Sequence, residues 1–282
     1  MKKKQILVGA VALAVGAAVL YFGYHSYIYV STNNATVEAK TTLLSAEVGG
    51  IIETVSVEDN QAVKEGQVLA TLRTENYRNA MNLSKAEYAS LAAKQHSADL
   101  NYKRRESLFK QGAETKERLD AAQAEYKSIT AQLRAGDATV KQSEDNFSHT
   151  EIKAPANGTV AKKSFEIGMS VVPGQPLVGF VVGDERWVVA NFKETELEGI
   201  APGKSVKVIV DAISNKTFTG VVDSISPSTG AAFSLLPPDN AVGNFTKVVQ
   251  RVPVKIKLVH LSAEDVKLLQ AGLSAEVTIR RR

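Results

Sequence analysis

Few residues of this 282-residue chain have the types and spacing that catalysis or metal binding requires. Cysteine is absent, which excludes disulfides, thiolate metal ligands and cysteine nucleophiles. The four histidines are His25, His96, His149 and His260. They stand far apart, so a histidine metal site would need two of them brought together by folding. We find no nucleophile–base pairing and no phosphate-binding loop, and we therefore expect a non-catalytic protein without a cofactor.

Three residues near the middle of the chain have the types expected of a protein–protein contact. Arg104 and Leu108 are four residues apart, so in a helix they share one face. An exposed leucine on such a face is a candidate contact. Thr115 has the side chain of a helix N-cap. Simpler interpretations stay open at this point: Arg104 as an ordinary solvated charge, Leu108 as a cover for a loop, and Thr115 as a cap alone.

The segment that contains these three residues, 74–147, predicts a helical hairpin. It has no proline and two glycines, Gly112 and Gly136. Apolar and small residues recur at alternating spacings of three and four, which predicts an antiparallel coiled coil. The predicted seam consists of Tyr77, Met81, Ser84, Tyr88, Leu91, Gln95, Ala98, Tyr102, Arg105 and Phe109 in the first half, and Leu119, Ala122, Tyr126, Ile129, Leu133, Gly136, Val140, Ser143 and Phe147 in the second. Because Arg104 and Leu108 each precede a seam position by one residue, we expect both to point away from the partner helix. Gly112 suits the end of the first helix.

The segments on either side of the hairpin repeat one short β motif. Residues 49–72, GGIIETVSVEDNQAVKEGQVLATL, align without a gap with residues 157–180, NGTVAKKSFEIGMSVVPGQPLVGF. The alignment pairs Gly50 with Gly158 and Gly66 with Gly174. One copy is too small to bury both of its faces. We therefore expect residues 37–73 and 148–183 to pack together as one β-sandwich that holds the base of the hairpin.

This split sandwich resembles the lipoyl or biotinyl domain, whose halves are related by a pseudo-twofold axis. In carrier versions of that domain, a modified lysine sits on the turn that joins the halves. Here the hairpin replaces that turn, and the nearest lysine, Lys153, precedes the second half with no β-hairpin around it. A membrane-anchored acyl or biotinyl carrier is therefore a distant alternative.

The C-terminal segment, residues 184–282, predicts a small β-barrel. Strands are indicated at 186–192, 205–211, 217–226, 247–258 and 273–280, with glycine and proline between them. Residues 227–246 form a long loop, and long loops are either functional or disordered. Its apolar residues Phe233, Leu235 and Leu236 are candidate contacts with a partner, and the alternative is that they plug the barrel.

The N-terminus predicts a membrane anchor. Residues 6–30 carry no formal charge and exceed the ~20 residues that cross a bilayer. Three lysines precede them, which places residues 1–5 in the cytoplasm and the bulk of the chain outside it. A cleaved signal peptide is the alternative, but its apolar region is usually shorter.

The net charge of +4 comes from basic and acidic residues that are well mixed along the chain, so we expect no binding to nucleic acid. The fold class is thus multidomain α+β.

The order of anchor, half-sandwich, helical hairpin, half-sandwich and barrel resembles the HlyD/EmrA-type membrane fusion proteins, which are periplasmic adaptors of tripartite efflux and secretion systems. APANGTV at 154–160 and STGAAFSLLPPDNAVGNFTKVVQRVPVKI at 228–256 are similar to that family, the second to its EmrA branch. Arg104, Leu108 and Thr115 match the family's R-x3-L-x6-[S/T] motif at the hairpin tip.

The resemblance implies an adaptor in the bacterial inner membrane that forms homo-oligomers. Its implied partners are a major-facilitator drug:proton antiporter and a TolC-like outer-membrane channel that the tip contacts. Phe233, Leu235 and Leu236 would meet the transporter or a neighbouring adaptor. The hairpin is shorter than is typical of EmrA-type proteins, and no segment matches the membrane-proximal domain of adaptors that serve resistance-nodulation-division pumps. An adaptor of an ABC-transporter secretion system is the main alternative.

Overall fold

The structure is a computed structural model that describes residues 28–213, 215–229 and 249–281, together with Gly16. Most of the predicted anchor lies outside the described residues, and none of the described helices is long and apolar enough to span a membrane. The chain divides into two compact units: Met1–Lys40 with Asp184–Arg282, and Thr41–Gly183. Tyr29 and Val30, which the sequence assigned to the end of the anchor, belong instead to the first strand.

The unit formed by the two ends of the chain is an antiparallel β-barrel. Its strands are the first part of β1 (Tyr29–Ser45), the last part of β8 (Pro176–Lys193), β9 (Ser205–Val210), β10 (Thr217–Ile225), β11 (Arg251–Val259) and β12 (Ser274–Arg280), with one short helix, α3 (Ala263–Leu268). They follow one another in the order β1-β12-β9-β10-β11-β8, and a further pairing of β1 with β8 closes the sheet. Along β9, Val206, Val208 and Val210 alternate with exposed residues and point into the core.

The sequence placed the barrel in residues 184–282 alone and missed the strand that closes it. Val30, Ala35 and Val37 of β1 are buried in the barrel core. Asn33 and Asn34 interrupt their alternation at a bulge between Thr32 and Ala35, and asparagine is depleted in strands. Val37 therefore lies in the barrel, whereas the sequence assigned it to the first half of the sandwich.

The second unit contains a β-sandwich built from both copies of the repeat. Its strands are the end of β1, β2 (Gly50–Val55), β3 (Ala62–Val63), β4 (Val68–Leu72), β5 (Glu151–Lys153), β6 (Gly158–Lys163), β7 (Ser170–Val171) and the start of β8. The copies exchange strands, because β2 pairs with β7 and β3 pairs with β6. Equivalent backbone bonds follow from this: the Ile52 N–H donates to the Met169 carbonyl, and the Val160 N–H donates to the Gln61 carbonyl, both at 2.9 Å.

Two antiparallel helices, α1 (Glu75–Lys110) and α2 (Lys116–Ser148), stand between β4 and β5. With 36 residues, α1 is about 50 Å long. The hydroxyls of Ser84 and Ser143 lie 2.9 Å apart, and the rings of Tyr102 and Tyr126 stack at 5.8 Å. At the base, the Tyr77 hydroxyl donates to the Gly49 carbonyl at 2.6 Å. All the predicted seam residues are buried or half-buried except Phe109.

Candidate contact site at the hairpin tip

The turn between the two helices has a fixed backbone. Gly112 has a φ of 75°, a left-handed conformation that favours glycine. Its N–H donates to the Phe109 carbonyl and the Ala113 N–H donates to the Leu108 carbonyl, both at 2.9 Å. This pair of bonds is a Schellman motif, which satisfies the last carbonyls of α1. Thr115 then starts α2 as its N-cap, because its hydroxyl accepts a hydrogen bond from the Arg118 N–H at 3.4 Å.

The structure corrects the predicted orientations of Leu108 and Phe109. Arg104 is exposed, as expected, but Leu108 is half-buried. Phe109, which was predicted to lie in the seam, is 38% exposed. The reason is the length of the second helix: Arg105 already faces Glu114, which precedes the start of α2. Phe109 therefore faces the first residue of α2, Lys116, whose Nζ lies 5.9 Å from the ring centroid, and the apolar seam ends one turn earlier than the sequence pattern indicates.

An ion cluster lies at the turn around one buried carboxylate, and we call its members Arg105, Glu114 and Arg118 the tip clamp, of which Arg118 is exposed. The Glu114 side chain is only 8% exposed. Its Oε2 lies 2.7 Å from Nη1 of Arg105, and its Oε1 lies 3.4 Å from Nη1 of Arg118. The Thr115 N–H also donates to Oε1 at 3.2 Å. One carboxylate thus joins the end of α1, the turn and the start of α2.

The carboxylate of Glu114 is held in its charged form. Burial on its own raises the pKa of Glu114, but the hydrogen bond from the Thr115 N–H and the nearby guanidinium groups of Arg105 and Arg118 outweigh it, so the pKa is lowered. Sequence reasoning did not identify Glu114. The available signal was Arg105, a charged residue at a seam position, since a half-buried charge needs a partner.

The outer surface of the tip is basic and partly apolar. The Lys116 Nζ lies 5.9 Å from the centroid of the Phe109 ring and 3.1 Å from Oδ1 of Asp120. Arg104 is exposed on the last turns of α1. This surface can donate hydrogen bonds to carbonyl or carboxylate oxygens and can bury a ring edge, which suits a contact with another protein.

Of the other candidate residues from the sequence, the structure describes Lys153. Lys153 lies in β5, which pairs with β4, and its Nζ is 2.7 Å from Oε2 of Glu151. It is therefore part of a strand and not at the tip of a turn. Phe233, Leu235 and Leu236 lie outside the described residues. In the described part of the chain, no three His, Asp or Glu side chains converge as metal ligands.

Comparison with known proteins gives the family. Residues 40–182 match the CzcB-like, barrel-sandwich hybrid domain, and residues 186–280 match the AAEA-like beta-barrel domain. The probable multidrug resistance protein EmrK of Escherichia coli is 33% identical over 98% of this chain and 83% of its own length. The chain belongs to the EmrA-type membrane fusion proteins. The colistin resistance protein EmrA of Acinetobacter baumannii is 30% identical over 94% of this chain and 91% of its own length.

The fold of a solved membrane fusion protein is similar as well. The match to the solved structure of the periplasmic adaptor protein EmrA covers 90% of this chain and 99% of the solved chain, with a TM-score of 0.51 at 21% sequence identity. The resemblance drawn from the sequence to this family is therefore confirmed. The predicted architecture, a split sandwich followed by a β-barrel, is confirmed too, as a barrel-sandwich hybrid domain and a β-barrel domain.

Proposed function

We propose that this membrane fusion protein is a non-catalytic periplasmic adaptor, which links an inner-membrane exporter to an outer-membrane channel for the efflux of drugs or toxic compounds. Its similarity to EmrK and EmrA over almost the whole chain carries this proposal. The structure supports it, because a helical hairpin of about 50 Å with a rigid tip suits contact over a distance rather than chemistry.

The part of the proposal that concerns the membrane anchor and the inner-membrane transporter rests on the sequence. Residues 6–30 would stay in the mature protein as a single membrane span, with residues 1–5 in the cytoplasm. The segment 228–256 favours a major-facilitator exporter, and an ABC-transporter secretion system is the alternative. Phe233, Leu235 and Leu236 would contact the transporter or a neighbouring copy of the adaptor. One copy cannot enclose a path for substrate, so we expect a homo-oligomer.

The hairpin tip would contact the channel. Arg104 is exposed and presents a planar set of donors for carbonyl or carboxylate groups. Leu108, although half-buried, retains some exposed apolar surface beside it. Thr115 acts indirectly as the cap that holds the start of α2. Because several copies would bind at once, even a small contact per tip suffices through avidity.

The direct experiment is affinity purification of the full chain from solubilised membranes. We expect an inner-membrane transporter and an outer-membrane channel to be recovered together. The recovered transporter distinguishes a major-facilitator partner from an ABC transporter. If neither partner is recovered, and intact mass shows a lipoyl or biotinyl adduct on Lys153, the adaptor function is wrong and the carrier alternative replaces it.

A further inference from the structure

We propose that Glu114 is the positioning residue of the hairpin tip: its carboxylate holds Arg105 and Arg118 from inside the turn and so fixes the outward direction of Arg104. This inference rests on the proposed function, since it assigns Glu114 a part in preparing the contact with the channel. It concerns a residue that does not itself need to touch the partner.

The Glu114 carboxylate connects the two helices of the tip by charge-assisted hydrogen bonds. Its two carboxylate oxygens bind different elements, with Arg105 of α1 on Oε2 and Arg118 of α2 on Oε1. The ion pair between Lys110 and Glu106, by contrast, lies within α1 and is largely exposed. Exposed pairs of that kind contribute little to stability. A bridge between the two helices, unlike a pair within one helix, restrains their relative rotation at the tip.

The rotation matters because Arg104 and Arg105 are neighbours on one helix. Successive helical residues point about 100° apart, since 3.6 residues make one turn. When Glu114 draws Arg105 inward, Arg104 is directed outward and stays exposed. The bond from the Thr115 N–H to the same carboxylate fixes the start of α2 at the same place. The exposed groups of the tip are therefore preorganised, which reduces the entropy lost on binding.

The test uses the full chain with the substitution Glu114→Gln, which keeps the size of the side chain and removes its charge. Hydrogen exchange of the backbone amides at residues 111–118 should become roughly tenfold faster or more, the effect of losing charge-assisted hydrogen bonds. Recovery of the channel in affinity purification should fall severalfold. Glu114→Asp, which retains the charge on a shorter side chain, should give intermediate values for both measurements.

Glu106→Gln is the matched control, because it removes an exposed ion pair at the same tip without touching the tip clamp. It should change neither measurement, and the fluorescence of Trp187, the single tryptophan of the chain, should report an intact barrel in every variant. Unchanged exchange in Glu114→Gln would show that the clamp does not order the tip. Faster exchange with undiminished channel recovery would show that the contact does not use this order. If the parent chain recovers no channel, the proposed function fails, and the exchange measurement still decides whether the clamp exists.

Discussion

Arg104 and Arg105 are adjacent in the sequence and have opposite environments. Arg104 is exposed, whereas Arg105 turns inward to a carboxylate that is 8% exposed. The sequence pattern identified Arg104 and the N-cap Thr115, because helical spacing and capping are local properties. It did not identify Glu114, because a bond between the turn and both helices depends on where α2 begins. The same boundary explains why Leu108 and Phe109 exchange their predicted environments.

We predict that Arg104→Ala weakens the contact with the channel without affecting the fold. An exposed substitution of this kind changes the free energy of unfolding by less than about 0.5 kcal/mol, while channel recovery should fall severalfold. Arg104→Lys should be intermediate, since lysine lacks the planar fork of donors. Lys103→Ala is the matched control: it removes an exposed residue bound to Asp99 at 2.7 Å and should leave recovery unchanged. Equal losses in the two alanine variants would rule out a specific role for Arg104.

The tip clamp also predicts a pH dependence. Because the pKa of Glu114 is lowered in the folded chain, its charge stabilises the tip at every pH above the ordinary range for glutamate. That stabilisation is lost only as the pH falls through the lowered pKa. The positive groups that face it are Arg105 and Arg118, and both stay charged throughout.

Hydrogen exchange at residues 111–118, corrected for the intrinsic effect of pH, should therefore be constant from neutral to mildly acidic pH. Protection should decline only below the pH range in which an ordinary glutamate titrates, and Glu114→Gln should lack this decline. A transition near neutral pH, or an identical acid transition in Glu114→Gln, would contradict the assignment to Glu114.

The two copies of the β motif were recognisable from sequence, but their exchange of strands was not. An alignment shows that Gly50 and Gly158 occupy equivalent positions and says nothing about which copy supplies the neighbouring strand. The two glycines also have different surroundings in the structure. A Cβ atom added at Gly158 would lie 2.2 Å from the Val181 carbonyl oxygen and 2.8 Å from Cζ of Phe180. At Gly50, it would lie 3.5 Å from Leu72, an ordinary contact.

We therefore predict that alanine has different effects at these two aligned positions. Gly158→Ala should lower the free energy of unfolding by about 1–3 kcal/mol or more, because the backbone of β8 cannot yield easily. Gly50→Ala should be neutral or slightly stabilising, since glycine in a strand costs roughly 0.5–1 kcal/mol relative to alanine. Denaturant unfolding followed by circular dichroism measures both. Similar losses in the two variants would mean that the sandwich does not have the packing described.

The order of the segments along the whole chain predicted more of the architecture than any single motif did. Helix, strand and turn patterns are local, so the hairpin, the repeat and five strands of the barrel could be predicted from the sequence. The closing strand of the barrel could not, because both copies of the repeat and the hairpin lie in the sequence between the barrel part of β1 and its partners β8 and β12. Asn33 and Asn34 of β1 also interrupt the alternation of buried and exposed residues along that strand. Long-range pairing is set by the shared core and not by the pattern of one strand.

Crosslinking in cells can detect the proposed contact between the tip of the hairpin and an outer-membrane channel. The chain has no cysteine, so a single introduced thiol reports one position. Ala113 is exposed and suits the probe, whereas Gly112 does not, because its φ of 75° strains any other residue. Asn82→Cys, exposed near the base of α1, is the control. With a short bifunctional reagent, Ala113→Cys should form an adduct with an outer-membrane channel protein, and Asn82→Cys should form none. If Ala113→Cys yields no channel adduct, or if both positions yield it equally, the tip of the hairpin does not form the contact with the channel.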